Sequence, residues 1–457
     1  MRSSAACEGV VNAATVGCDV IVHGVDCPLV IKGSVKFLRK DDRAHESRFG
    51  TPENARGGKI EVRSMSRRAE NDAPLPYALV ARWHEWLVTQ ALPLWSERGF
   101  DPRRRLYHER LTWSGTAAPL PQLRLMVQAR QVAVYCRAGL DGLYDHSAPA
   151  LDHALLCLDT VERLYRHADG GTGWVFSLAP DGTPASGVRD LYAHAFILFA
   201  YAWAYRLTGA PRFRRIARET AEETWQLFAL DEGFRDCVPS TNAVRRQNPH
   251  MHLLEACLAL FEATDEGFYL DQAERLVTLA SCRFMDPRSG AVLEEFDAAW
   301  VPLEPAGRNR VEPGHLFEWA WLLGEYRRLA PDTQAEDHLH AMAERLFAFG
   351  STEGCAPDTG LVYDAMTEDG VVSAHSTRIW PQTELLRLLC RRRKEAGEGG
   401  EALLSSISEL FFARYAPAQL AGGWIDRLDE GLVPMVDHMP ASSLYHIYGA
   451  AREIVCA

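Results

Sequence analysis

The chain has 457 residues, and its 49 Lys and Arg against 61 Asp and Glu give a net charge of −12. That balance, with no long basic block, argues against a nucleic-acid or anionic-membrane partner, and no apolar run reaches the roughly 18 residues of a membrane span. A hydrophobic content of 47% with 24% charged residues is that of a globular protein whose natural partner is a small neutral molecule.

Eleven cysteines lie scattered from Cys7 to Cys456 without a Cys-x-x-Cys pair, which speaks against a disulfide scaffold or a zinc ribbon. The best signal-peptide candidate, Val10 to Val22, is broken by Asn12 and Asp19, so the expected compartment is the cytoplasm.

Residues 1–72 carry 12 Lys and Arg against 10 Asp and Glu and show no helical period. They are expected to form an appendage outside the main domain, either poorly ordered or lying upstream of a natural start at Met65. The main domain is expected over 73–457. Apolar i, i+3, i+4 spacing predicts helices near 75–97, 122–138, 147–167, 188–208, 212–229, 248–263, 267–284, 311–330, 335–349, 378–396, 400–415 and 440–455.

A short glycine-led stretch recurs between them: Gly173-Trp174-Val175-Phe176, Gly233-Phe234-Arg235-Asp236, Gly290-Ala291-Val292-Leu293, Gly360-Leu361-Val362-Tyr363 and Gly423-Trp424-Ile425-Asp426, with a weaker first copy at Leu106-Tyr107-His108-Glu109. Six units of helix, strand-like turn and helix cannot each bury their own apolar face. The fold expected is all-α, an (α/α)6 barrel of six helical hairpins; an open helical solenoid is the alternative.

Polar residues near the start of the second helix of each pair are expected at one mouth. Measured from the repeat glycine they are His194 at +21, His252 at +19, His315 at +25, Trp380 at +20 and His438 at +15, with Arg130 on the corresponding helix of the first pair. A lone histidine is more often a satisfied core or capping residue; four at similar places of a cyclic repeat would share one cavity. His315 and Glu318, three apart, share a helix face, where a carboxylate can fix an imidazole tautomer. The alternatives are a surface ion pair and a metal site, and neither His-x-x-x-His nor His-Glu-x-x-His occurs. Of His250 and His252, only one can face the cavity; His252 is selected, with Glu255 beneath it. His438 lies just ahead of a helix starting near Pro440 and is taken as reachable, while His446, two turns further, is assigned a structural role. Trp174, Trp380 and Trp424 fit either core packing or stacking on a sugar ring.

Arg82-Trp83 with Leu92-Pro93-Leu94-Trp95, Gln128-Ala129-Arg130-Gln131, Asp190-Leu191-Tyr192-Ala193-His194, Met251-His252 with Glu255, Pro313-Gly314-His315 with Glu318, Trp380-Pro381-Gln382-Thr383-Glu384, and Gly422-Gly423-Trp424 with Asp426 together resemble the N-acylglucosamine 2-epimerase superfamily over about residues 75–455. The resemblance implies an (α/α)6 barrel and a sugar isomerase or 2-epimerase. In it His315 and His438 are the acid and base, Glu318 orients His315, and Arg130 polarises the oxygens near C1 and C2. His252 and Glu255 bind the sugar or assist ring opening, and Trp380 stacks on it. Asn248, Tyr192, His194, Glu384 and Trp424 are further expected substrate contacts. The ending Val436 to His446 looks most like the mannose-isomerase branch.

Removing a proton beside an aldehyde needs a base with a pKa near the working pH and a donor for the developing oxyanion; histidine and arginine supply both without a metal or a nicotinamide. The expected reaction is D-mannose to D-fructose through a cis-enediolate. The alternatives are 2-epimerisation of an N-acylglucosamine or related sugar, a mannose 6-phosphate isomerase, a glycosidase, which would need facing carboxylates, and a non-catalytic sugar-binding protein. No cofactor, no nucleic acid and no membrane are expected, and the protein is expected to be a monomer or homodimer.

Overall fold

The computed structural model describes residues 75–144, 149–240, 242–331, 335–396 and 401–456; the appendage expected over 1–72 lies outside them. The chain enters through α1 (Tyr77–Trp86), continues through a π-turn over Leu87–Ala91, and ends its first passage with α2 (Leu92–Glu97). Then come α3 (Leu125–Leu140), α4 (Pro149–Tyr165), α5 (Leu191–Thr208), α6 (Pro211–Phe228), α7 (Gln247–Thr264), α8 (Gly267–Leu279), α9 (Pro313–Leu329), α10 (Glu336–Glu353), α11 (Ile379–Ala396), α12 (Glu401–Leu410) and α13 (Ser443–Val455). Each falls within a few residues of a predicted helix.

Two kinds of helix alternate, as their sequences dictate. In α6 the buried residues Phe213, Ile216, Ala217, Thr220, Ala221, Thr224 and Phe228 form one stripe on an otherwise charged helix, the pattern of an element with one face in solvent. By contrast α3 buries every residue from Leu125 to Gly139, and α9 every residue from Pro313 to Gly324, so these are surrounded on all sides. The inner helices α3, α5, α7, α9, α11 and α13 pack each against the next, and α13 packs back on α3, closing a ring. The outer helices surround them. The passage from inner to outer helix is short, as at Gly209, which takes a left-handed φ of 64° at the end of α5 ahead of Pro211. The passage from outer to inner helix is long and carries the strands.

Those strands decide between a closed ring and an open solenoid. Two- and three-residue pairings join each long loop to the next: Arg124 opposite Ser177, Asp190 opposite Cys237, Arg246 opposite Glu295, Arg310 opposite Thr367 and Arg378 opposite Arg427. The sixth pairs His438–Pro440 with Arg110–Thr112 and so ties the last loop to the first. The molecule is an (α/α)6 barrel.

The recurrent glycine stretches form turns and single bridges rather than strands. Their backbone is stapled by the fourth residue of the following inner helix. Gln128 Oε1, His194 Nε2, His250 Nε2 and Gln382 Oε1 accept from the N–H groups of Tyr107, Trp174, Phe234 and Val362 at 2.7, 3.2, 3.1 and 2.9 Å. Gly233 is left-handed at φ +69°, and a Cβ there would lie 2.5 Å from the Trp300 ring, whereas Gly209 at φ +64° has open space around it. Gly233→Ala is therefore expected to cost about 2–4 kcal/mol through strain and overpacking, and Gly209→Ala about 1 kcal/mol from backbone strain alone. Urea unfolding of the two variants checks the difference.

Candidate active site

The N-terminal ends of the inner helices converge on one cavity of about 290 Å³. Its wall takes Met126 and Arg130 from α3, Tyr192 from α5, Asn248 and His252 from α7, His315 and Glu318 from α9 with Glu312 just before it, Arg378 and Trp380 at the start of α11, Asp426, and Pro440, Ser442, Ser443 and His446 at α13. The sixth residues of α3, α5, α7, α9 and α11 are Arg130, Phe196, His252, Glu318 and Glu384, and with His446 they form a continuous girdle. Arg130 lies 4.1 Å from the Phe196 ring, Phe196 4.6 Å from the His252 ring, and His252 Nδ1 3.8 Å from Glu318 Oε1. Ligand-type atoms of Glu318, Glu384 and His446 all lie within 4.8 Å of one another, and Glu384 Oε1 is 2.7 Å from His446 Nδ1.

Two histidines pack against one aromatic ring. The Trp380 ring is 4.9 Å from the His315 ring and 5.4 Å from the His446 ring. Each histidine has Nδ1 on a carboxylate, Glu294 Oε1 at 2.8 Å for His315 and Glu384 for His446, which leaves Nε2 for the cavity. Their environments drive them apart. Burial pulls the His315 imidazolium down, but Glu294 and Glu312 more than offset it and hold its pKa above the usual value. Burial, reinforced by the positive Arg130, pulls His446 well below. Opposed shifts favour the protonated form of one histidine and the neutral form of the other at the same pH.

Glu318 is fully buried, and neither carboxylate oxygen has a hydrogen-bond partner among the described residues. Burial and the nearby Glu384 and Glu255 raise its pKa well above the carboxylate range against the pull of Arg387 and Arg130, which favours its neutral form. Beneath the girdle Glu255 accepts a hydrogen bond from Tyr445 and lies 3.3 Å from Arg387, which also reaches Glu384 at 3.3 Å. The groups His252, Glu255, Glu318 and Glu318, Glu384, His446 have the donor spacing of a metal site. The Arg387 guanidinium already supplies positive charge to two of those carboxylates.

A model of the N-acylglucosamine 2-epimerase family matches residues 107–450. This chain belongs to that family. It is similar to a mannose-6-phosphate isomerase of Rhizobium meliloti (strain 1021), 33% identical over 385 residues that cover 81% of this chain and 95% of the relative. A D-mannose isomerase of Thermobifida fusca is 29% identical over 363 residues, 74% of this chain and 86% of that one. A crystal structure of a D-mannose isomerase superposes with a TM-score of 0.73 at 20% identity, over 83% of this chain and 99% of that one, which speaks for the shared fold. This member of the N-acylglucosamine 2-epimerase family is therefore a sugar isomerase or epimerase. Among the described residues no helix is long and apolar enough to cross a membrane.

Of the residues expected from sequence, Arg130, Tyr192, Asn248, His252, His315, Glu318 and Trp380 all line the cavity. Glu384, in the girdle behind His446, and Glu255 beneath it are supports rather than wall residues. Four expectations are corrected. His438 is not in the wall, because it is a residue of the ring-closing strand, with Nδ1 3.0 Å from the exposed Asp437. His194 is fully buried as a backbone staple, its Nδ1 on the Asp190 carbonyl at 2.8 Å. Trp424 is core, stacked on Trp95 at 5.4 Å. The carboxylate that orients His315 is Glu294 and not Glu318; Gln247 Nε2 braces Glu294 Oε2 at 2.9 Å, and Trp319 Nε1 in turn donates to Gln247 Oε1 at 2.7 Å.

Proposed function

We infer that this enzyme converts free D-mannose to D-fructose through a cis-enediolate, with His446 as the base and His315 as the acid. What supports the reading is the pair of cavity histidines, both packed against Trp380 and both with Nδ1 on a carboxylate, whose pKa values are driven in opposite directions. With the Glu384 carboxylate accepting from Nδ1–H, we assign the neutral His446 tautomer whose Nε2 can take a proton. It removes the proton from C2; the electron pair forms the C1=C2 bond, and O1 takes up the charge. Arg130 supports that oxyanion, and the His315 imidazolium protonates it. The O2 proton then leaves to His315, the C2=O bond forms, and C1 recovers a proton from His446. Atoms balance without a metal or a nicotinamide. Protonated Glu318 donates to a substrate oxygen from the cavity floor, and Trp380 supplies an apolar face for the ring.

A phosphorylated substrate is favoured by the relative named mannose-6-phosphate isomerase. Against it, the cavity wall offers two arginines, of which Arg378 is held by carboxylates and Arg130 is the one assigned to the enediolate oxygen. Arg378 is held by Glu312 at 2.8 Å and Asp364 at 2.9 Å, and Arg130 donates to Tyr192 at 2.5 Å and to the Ser442 carbonyl at 3.2 Å. A phosphate dianion calls for cations free to pair with it. Mannose, mannose 6-phosphate and N-acetylglucosamine, each incubated with the enzyme and followed by NMR, distinguish the readings. Fructose from mannose is expected at a kcat/KM at least about tenfold above that for the phosphate. Preference for mannose 6-phosphate, or N-acetylmannosamine as the main product, would overturn the assignment.

A further inference from the structure

At the opposite end of the ring the last turns of the inner helices enclose a second cavity of about 210 Å³, lined among others by Arg137, Trp203, Arg206, Glu262, Arg328 and Arg452. Glu255 and Arg387 also line it, and so form the partition from the catalytic cavity. Arg137 stands in the last turn of α3, Arg206 in that of α5, Arg328 in that of α9 and Arg452 in that of α13. Cations suit helix C-termini.

Three of these four are matched by acids. Arg206 pairs with Glu262 at 2.8 Å, Arg328 with Glu262 at 3.1 Å and Glu325 at 2.7 Å, and Arg452 with Asp141 at 2.6 Å. Arg387 is held by Glu255 and Glu384 at 3.3 Å each. Arg137 is the exception. It is 3% exposed, and its Nε and Nη1 have no hydrogen-bond acceptor among the described residues. The rings of Trp203 and Tyr448, 5.1 and 5.2 Å from its Cζ, offset part of the cost of burying the charge but accept none of its bonds. Burial and the like charges of Arg452 and Arg387 press on it further and outweigh the opposing pull of Tyr448 and Glu255. A buried guanidinium that faces a cavity with no ion pair, and with two of its nitrogens lacking an acceptor among the described residues, is a costly arrangement unless something binds there.

We propose that this end of the barrel is a binding site for a small oxyanion of the phosphate or carboxylate class, paired in the plane of the Arg137 guanidinium. The site is distinct from the sugar cavity and independent of which sugar the enzyme uses. The occupant is small, because the cavity is.

Thermal unfolding and calorimetry with sodium phosphate, sodium malonate and sodium chloride at matched ionic strength test it. A saturable rise in Tm of about 2–4 °C with phosphate or malonate and none with chloride is expected, and the better of the two oxyanions identifies the class. In Arg137→Met the Kd for that oxyanion should weaken at least about tenfold. Equal shifts with all three salts, or a Kd unchanged in Arg137→Met, would overturn the proposal. Should Arg137→Met not fold, a selenate-soaked crystal of the unaltered protein decides by anomalous scattering: a peak beside Arg137 supports the site, and none there rejects it.

Discussion

His446→Ala is expected to lower kcat/KM on mannose by at least about 10²-fold and to abolish solvent exchange of the C2 proton, because it removes the base while leaving the acid and the oxyanion donor in place. His438→Ala is expected to keep activity within about tenfold of the unaltered enzyme. The contrast is the informative part. His438 is on the closing strand with its ring on Asp437, and its loss touches a rim; His446 is buried in the girdle with Glu384 behind it. Circular dichroism and thermal unfolding of both variants separate a lost base from a lost fold. Exchange at C2 surviving in His446→Ala, or vanishing in His438→Ala, would return the role to His438.

Glu294→Gln is expected to reduce kcat at neutral pH by about 10- to 100-fold, the usual weight of a partner that orients a catalytic group, and to move one limb of the pH profile. The sign follows from the shifts. His315 acts as the protonated acid and has a raised pKa, so activity is lost as pH rises through a value above its ordinary one. His446 acts as the neutral base and has a lowered pKa, so activity is lost as pH falls through a value below its ordinary one. The profile of kcat/KM is a plateau across neutrality. Gln in place of Glu294 removes the charge that holds His315 up, so the alkaline limb moves to lower pH while the acid limb stays. Glu294→Asp should recover part of both effects. A limb that does not move would mean that Glu294 does not set the pKa of His315.

The helices, their order and the closed ring followed from apolar periodicity and a repeat, because burial on all sides and burial on one face leave different marks along α9 and α6. Arg130, His252, His315, Glu318 and Trp380 followed from their nearness to inner-helix starts, and Tyr192 and Asn248 from the family resemblance. Offsets counted from the repeat glycine mix in the long loops, whose lengths differ; counted from the helix start, His194 and His250 fall at the fourth residue, which staples the loop, and His252 and Glu318 at the sixth, which faces the axis. The first N–H of the last inner segment is that of Ala441, which bonds the Glu109 carbonyl as Leu125, Leu191, Gln247 and Ile379 bond theirs. Counted from Ala441, His446 is the sixth residue. Glu294 also had a signal: it stands where Asp236, Asp364 and Asp426 follow their glycines. Asp236 and Asp364 hold Arg246 and Arg378, while at the fourth unit the acid holds a histidine. Glu318 was paired with His315 because they share a helix face, but the closer acid comes from the loop that packs across the helix start.

The most direct test of the account is the fate of deuterium when the enzyme acts on [2-²H]mannose in ordinary water. A single base that serves C2 and C1 on one face predicts D-fructose as the product, with part of the label recovered at C1 and a primary isotope effect on the rate. D-glucose as the principal product with the C2 label lost to solvent, or no ketose at all, would contradict it.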